Sequence, residues 1–295
     1  MKVLIKGAGD LASGIACRLY RSGFSVVMTE ITVPTTVRRT VAFSPAIYNG
    51  QSRVEEIQGV RCDTLEEVEK AAESGQIAVV EDPEGKLAIR RRPDVVVDAI
   101  IAKENLGTSM TDAETVIGVG PGFTAGVDCH CVVETKRGHN LGRCIWKGSA
   151  FPNTGVPGMI GGYDKERIIR ASAEGVFIGT CAIGDLAEKG QLVGVVRTTD
   201  AAAVCHDGAV KGKSGEGAEE PVYAQVSGVV RGLLQDGVWV KKGMKSGDID
   251  PRGVVESCYT VSDKAAAIGG GGHLYEAETD REETFFFVND QKERG

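Results

Sequence analysis

The stretch whose reading decides the fold is residues 2–30, KVLIKGAGDLASGIACRLYRSGFSVVMTE: an apolar strand, a glycine turn, a helix, and a second strand ending in an acid. Such a run opens a nucleotide-binding, doubly wound parallel sheet. Gly7 and Gly9 let the backbone turn tightly and present N–H groups at the start of the helix, where the macrodipole favours an anion. Ala12 stands where a small residue permits close helix–strand packing, Gly14 widens the loop, and Glu30 falls at the spacing expected of a ribose-binding acid. Asp10 follows the second glycine directly, so its carboxylate either caps the helix or crowds the place where a pyrophosphate would sit.

Working outward, the run LEEVEKAAES predicts a helix over 63–75, with Asp63 or Thr64 as cap and Leu65, Val68 and Ala72 on one face. Continuous β-branched runs predict strands at 76–81, 94–101 and 115–119, each covered on both faces. The alternation predicts an α/β, Rossmann-like parallel sheet. A second glycine-rich turn, GVGPGFTAGVDCH, follows the last of these strands and brings Gly120 and Gly122 forward as a second anion cradle. Extended backbone over 128–132 would place Asp128 and His130 on one face, where the acid can orient the imidazole for proton transfer, or His130 is simply a hydrogen-bonded histidine. Cys129 is a candidate thiol nucleophile, but Cys129 and Cys131 do not complete a tetrahedral site, and no metal is expected. His139, in the polar stretch ETKRGHNLGR, is a further candidate at the ligand.

A chain of 295 residues is long enough for two domains and needs no cysteine staples. Its eight cysteines are scattered without framework spacing, which points to a reducing cytoplasm. Strand-like residues from Lys2 leave no signal peptide to expect, and glycines and charges interrupt every apolar run, so no membrane partner is expected. A net charge of −7 argues against nucleic acid, and Arg90, Arg91 and Arg92 read as a solvated face.

Residues from 175 and from 228 match at a constant offset of 53: Gly175 with Gly228, Gly179 with Gly232, Gly184 with Gly237, Lys189 with Lys242, Gly190 with Gly243, and Gly194 with Gly247. Two such halves read as a duplicated barrel-sandwich of the biotinyl and lipoyl kind. The junction between them is too long for a carrier hairpin, and Lys211 and Lys213 lack the flanks of a modified lysine. The expected organisation is therefore a cofactor-binding domain over 1–150, a Gly/Pro-rich linker over 151–165, the duplicated β domain over 166–256, and a C-terminal segment over 257–295. That last segment carries Phe285, Phe286 and Phe287, and is expected to dock a partner or stay disordered.

The ordered motifs GAGDLASG at 7–14, GPGFTAGVDCH at 120–130, ETKRGHNLGR at 134–143 and GDIDPRG at 247–253 resemble the accessory protein family of selenium-dependent molybdenum hydroxylases. The first domain is also similar to the Rossmann-like half of xanthine dehydrogenase accessory factors. The resemblance implies maturation of a molybdenum hydroxylase apo-enzyme as partner and a molybdopterin-type cofactor as ligand. It places Gly7, Gly9, Asp10, Gly120 and Gly122 around that anion, with Asp128, His130 and His139 as polar candidates. An NAD(P)-dependent oxidoreductase using Glu30 and His130, and a non-catalytic scaffold, are the alternatives; whether the chain is an enzyme and whether it forms homo-oligomers stay open.

Overall fold

The computed structural model describes residues 1–153, 155, 158–198 and 217–270. The first region runs β1 (Lys2–Lys6), α1 (Asp10–Arg21), β2 (Ser25–Glu30), α2 (Ala46–Asn49), β3 (Gln51–Val54), β4 (Ile57–Cys62), α3 (Leu65–Glu73), β5 (Ile77–Glu81), α4 (Lys86–Ile89), β6 (Val95–Asp98), β7 (Thr115–Val119), β8 (Cys131–Val133) and β9 (Cys144–Ile145). These strands form one sheet of nine in the order β3-β4-β5-β2-β1-β6-β7-β8-β9. The strand alternation appears directly in β1: Val3 and Ile5 enter the core under α1, while Leu4 enters the core on the opposite face.

The expected wholly parallel, doubly wound Rossmann-like sheet needs correction. The sheet is mixed, because β3 and β9 run antiparallel to β4 and β8 and close both edges. Helices are also few: the connections from β6 to β7 and from β7 to β8 contain none. Their sequences, AIIAKENLGTSMTDAE and GPGFTAGVDCH, lack an apolar period of 3.6 and are rich in turn formers, so they pack as loops. The helix expected over 63–75 is α3, where Thr64 and Glu67 form a reciprocal capping box. Its buried face is made by Val68 and Ala71, one step round from the predicted stripe.

The second region holds β10 (Ile168–Arg170), β11 (Gly175–Gly179), β12 (Leu186–Ala187), β13 (Leu192–Arg197), β14 (Glu219–Tyr223), β15 (Gly228–Leu233), β16 (Trp239–Val240) and β17 (Lys245–Asp250). In place of the expected biotinyl- or lipoyl-like barrel-sandwich, these strands make two separate four-stranded antiparallel sheets, β10-β17-β15-β12 and β14-β13-β11-β16. The halves interlock: β12 of the first pairs with β15 of the second, and β16 of the second pairs with β11 of the first. Gly175 and Gly228 show why the same residue recurs at the offset of 53. Each has a positive φ (154° and 157°), and a Cβ on either would lie 2.3 Å from a backbone carbonyl, of Arg197 and Asp250 respectively. The linking lysines Lys211 and Lys213 lie outside the described residues.

The chain then returns to the first region. Across the start of the segment 257–295, a 3-10 turn over Val255–Cys258 leads to α5 (Asp263–Gly270), which packs along α1. Contact is close enough that a Cβ on Gly14 would lie 2.6 Å from the Cβ of Ala265. Phe285, Phe286 and Phe287 lie outside the described residues. Residues 31–45 bridge the two regions, with the Leu233 N–H donating to the Val37 carbonyl and Arg39 donating to the Leu233 carbonyl and the Gln235 side chain.

Candidate functional site

In an open sheet, ligands bind beyond the carboxyl ends of the parallel strands. There, between β1, β2, β6 and the wall formed by β15 and β17, lies a crevice of about 500 Å³, within the range of small-molecule sites.

One end is the start of α1. Gly7, at φ 94°, donates its N–H to Thr29, and a Cβ on it would lie 3.0 Å from the Ala99 carbonyl. Gly9 is the N-cap and has no side chain to cap with, and no other side chain takes over that role. Asp10 does not cap the helix either: its Oδ2 accepts from Arg38 Nη1 at 3.0 Å. Arg38 is buried and also donates to the carbonyls of Ser257 and Thr260. Both residues line the crevice, and the Arg38 Nε and Asp10 Oδ1, shielded from solvent, have no hydrogen-bond partner among the described residues. Glu30 closes one side, accepting from the Ala8 N–H at 3.1 Å and the Ile31 N–H at 2.9 Å. Burial pushes its carboxyl pKa up, against the pull of those two donors. Ile101 lines the crevice at φ 61°, a strained conformation for a β-branched residue.

The opposite wall carries charge from the second region. Asp248, buried, accepts from Arg167 and from Arg231, the latter at 2.5 Å. Asp250, also buried, pairs with Arg231 at 3.4 Å and Arg252 at 2.6 Å. Lys245 makes no ion pair among the described residues. It is an exposed residue that lines the crevice, and desolvation pushes its ammonium pKa down, opposed by Asp248 and reinforced by Arg167 and Arg231.

Several residues singled out from the sequence lie elsewhere. Gly14 faces α5. Gly120 and Gly122 do not line the crevice: a Cβ on Gly120 would meet the Thr135 hydroxyl at 2.9 Å, and one on Gly122 the Glu104 backbone nitrogen at 2.6 Å. His130 sits just before β8, where its Nδ1 accepts from the Val116 N–H at 3.0 Å, which fixes the neutral ring's proton on Nε2. This is the amino end of the parallel strands, opposite the crevice. Asp128 holds a loop, accepting from the Thr124 N–H at 2.7 Å and the Asn105 side chain at 3.3 Å. Cys129 is fully buried, and burial raises its thiol pKa, the reverse of what a nucleophile needs. His139 pairs at the surface with Arg143 at 3.2 Å. Among the described residues, no cluster of three or more His, Cys, Asp or Glu could hold a metal ion, and no helix is long and apolar enough to cross a membrane. Arg38, Arg167, Arg231, Lys245 and Asp248 are the site residues that the sequence reading missed.

No family model matches the chain. It is 45% identical over 269 residues to the uncharacterized protein YqeB of Escherichia coli (strain K12), a match covering 91% of this chain and 46% of that protein. The chain thus spans about half the length of this curated relative. Among solved structures, it is similar to a succinylglutamate desuccinylase/aspartoacylase from Rhodobacter sphaeroides (15% identity, TM-score 0.23, 30% of this chain and 22% of that one). It is also similar to an aspartoacylase family protein from Mesorhizobium loti (10% identity, TM-score 0.24, 76% and 55%), and to the ectoine utilization protein EutE (DoeB) from Ruegeria pomeroyi (10% identity, TM-score 0.26, 84% and 85%). Likeness at these scores assigns the chain neither a fold nor a chemistry. The resemblance to selenium-dependent molybdenum hydroxylase accessory proteins, and the maturation role it implied, are corrected here: no family model matches the chain, and no similar protein named above supports them.

Proposed function

We propose that the chain binds a small phosphate-bearing organic molecule in the crevice, with the phosphate seated at the start of α1. The observation that carries this reading is the uncapped amino end of a 12-residue helix facing a cavity, beside a buried guanidinium whose Nε–H has no acceptor. An anion at this position satisfies the first-turn amides and is favoured by the macrodipole, with the Arg38–Asp10 pair beside it. The strained Ile101 on the same wall supports a ligand role, since such conformations gather at binding sites. Asp10 does not repel the phosphate, because Arg38 neutralises it. The eight cysteines, scattered without framework spacing, suit a reducing, cytoplasmic setting.

Titration calorimetry with inorganic pyrophosphate tests the reading; NAD(P), which carries a pyrophosphate, and a molybdopterin-type cofactor, which carries a phosphate, are the ligands expected from sequence and serve as further probes. Gly9→Val is the diagnostic variant. Gly9 has φ −73°, and a Cβ there meets only the Thr36 hydroxyl at 3.5 Å, so the fold tolerates it while the branched side chain fills the approach to the helix start. Pyrophosphate binding to the wild type, lost in a Gly9→Val chain of unchanged melting temperature, is expected. Equal binding by both chains, or none by the wild type, overturns the reading.

A further inference from the structure

The internal duplication supplies a control for what the β scaffold itself requires. At the offset of 53, Arg231 corresponds to Ile178, Lys245 to Leu192, and Asp248 to Val195. Both halves build the same strands, so the scaffold folds with apolar residues at these places. The charged set occurs only in the half that walls the crevice.

That set is also unbalanced. Arg167 and Arg231 line the crevice and are matched by the buried carboxylates Asp248 and Asp250, the second also held by the half-exposed Arg252. Lys245 is the cation left over: it lines the crevice and has no ion pair among the described residues. An anion that reaches Lys245 gains a charge-assisted contact with a cation that has no counter-ion among the described residues. The α1 end and this wall face one cavity from two different regions of the chain.

We infer that the crevice selects a ligand with two anionic groups, one held at the start of α1 and Arg38, the second held by Lys245 with Arg231 and Arg167. The inference rests on the phosphate-binding reading above and adds the ligand's second charge. A mono-anion fills one pole only, whereas a molecule that spans both gains the second interaction without a second loss of translational freedom.

The experiment compares methylphosphonate with α,ω-alkane bisphosphonates of increasing spacer length, by titration calorimetry on the full chain and on Lys245→Gln. The expected result is a spacer length that binds the wild type at least about tenfold more tightly than methylphosphonate, as one added charge-assisted hydrogen bond allows. In Lys245→Gln that gain, taken as the ratio of bisphosphonate to methylphosphonate affinity in the same chain, shrinks at least about fivefold, a ratio that general loss of folding does not change. Methylphosphonate binding with no gain at any spacer length, or a gain equal in the two chains, overturns the second pole and leaves the first standing. Failure of methylphosphonate and every bisphosphonate to bind the wild type overturns both.

Discussion

Arg38 Nη1 donates to Asp10 Oδ2 at 3.0 Å, and this pairing draws the Asp10 carboxylate into an ion pair instead of capping the helix it begins. The same guanidinium holds the Ser257 and Thr260 carbonyls, so one side chain ties the helix start to the segment leading into α5. Removing it by Arg38→Met leaves the Asp10 charge unpaired and two carbonyls without their donor. A destabilisation of about 3–5 kcal/mol is expected, as for a broken buried pair. Asp10→Asn combined with Arg38→Met recovers part of that loss. Urea unfolding of the two variants measures it; a double variant no more stable than Arg38→Met alone contradicts the pairing.

Gly7 and Gly9 answer different demands although both stand in one turn. Gly7 has φ 94°, and a Cβ would press on the Ala99 carbonyl, so Gly7→Ala strains the backbone and pushes apart the β1 and β6 ends. A loss of about 1–3 kcal/mol is expected. Gly9→Ala has an ordinary φ and open space, so its stability changes by less than about 1 kcal/mol. Thermal melts of both variants separate a glycine required by conformation from one kept for the approach of a ligand, and equal losses count against the distinction.

The first strand, α1 and the second strand are legible in the sequence because a continuous apolar run, a glycine turn and an amphipathic period follow one another without ambiguity. Gly120 and Gly122 show the limit of such reading. A glycine required because Thr135 or the Glu104 backbone lies against it looks the same in sequence as one required by a phosphate. Arg38 escapes notice because it reaches Asp10 across 28 residues through a bridging loop with no period. Lys245, Arg231 and Asp248 leave a signal only when the two halves of the repeat are compared for where they differ, not where they agree.

His130 and Cys129 serve the sheet rather than the crevice. His130→Ala removes the acceptor for the Val116 N–H and is expected to cost about 1 kcal/mol, while pyrophosphate binding is unchanged because the ring lies at the amino ends of the strands. Cys129 has its thiol pKa raised by burial, so alkylation by iodoacetamide at neutral pH in the folded chain is expected to be far slower than that of a free thiol. Mass mapping of alkylated peptides reads this directly. Rapid labelling of Cys129, or loss of ligand binding in a folded His130→Ala chain, returns these residues to the functional site.

The start of α5 is tied through Asp263 to Arg137, in the loop after β8, and this contact carries a pH dependence. Arg137 donates to both Asp263 oxygens, at 2.6 and 2.9 Å, and this contact lowers the carboxyl pKa from 3.8 to about 2 against an opposing effect of burial. A depressed folded-state pKa means that the unfolded chain takes up its proton first as pH falls. The stabilisation is therefore complete above about pH 4 and is lost as pH drops through about 2. Both groups are largely solvent-facing, so the effect is modest in energy and weakens in salt. Because α1 and α5 are in close contact at Gly14 and Ala265, the loss is expected to appear as faster amide exchange in α5 at pH 3 than intrinsic rates explain. Asp263→Asn removes the titrating group, and its α5 protection is expected to be lower at pH 5 yet nearly independent of pH between 5 and 3. An unchanged pH slope in Asp263→Asn assigns the acid sensitivity of this helix to another carboxylate.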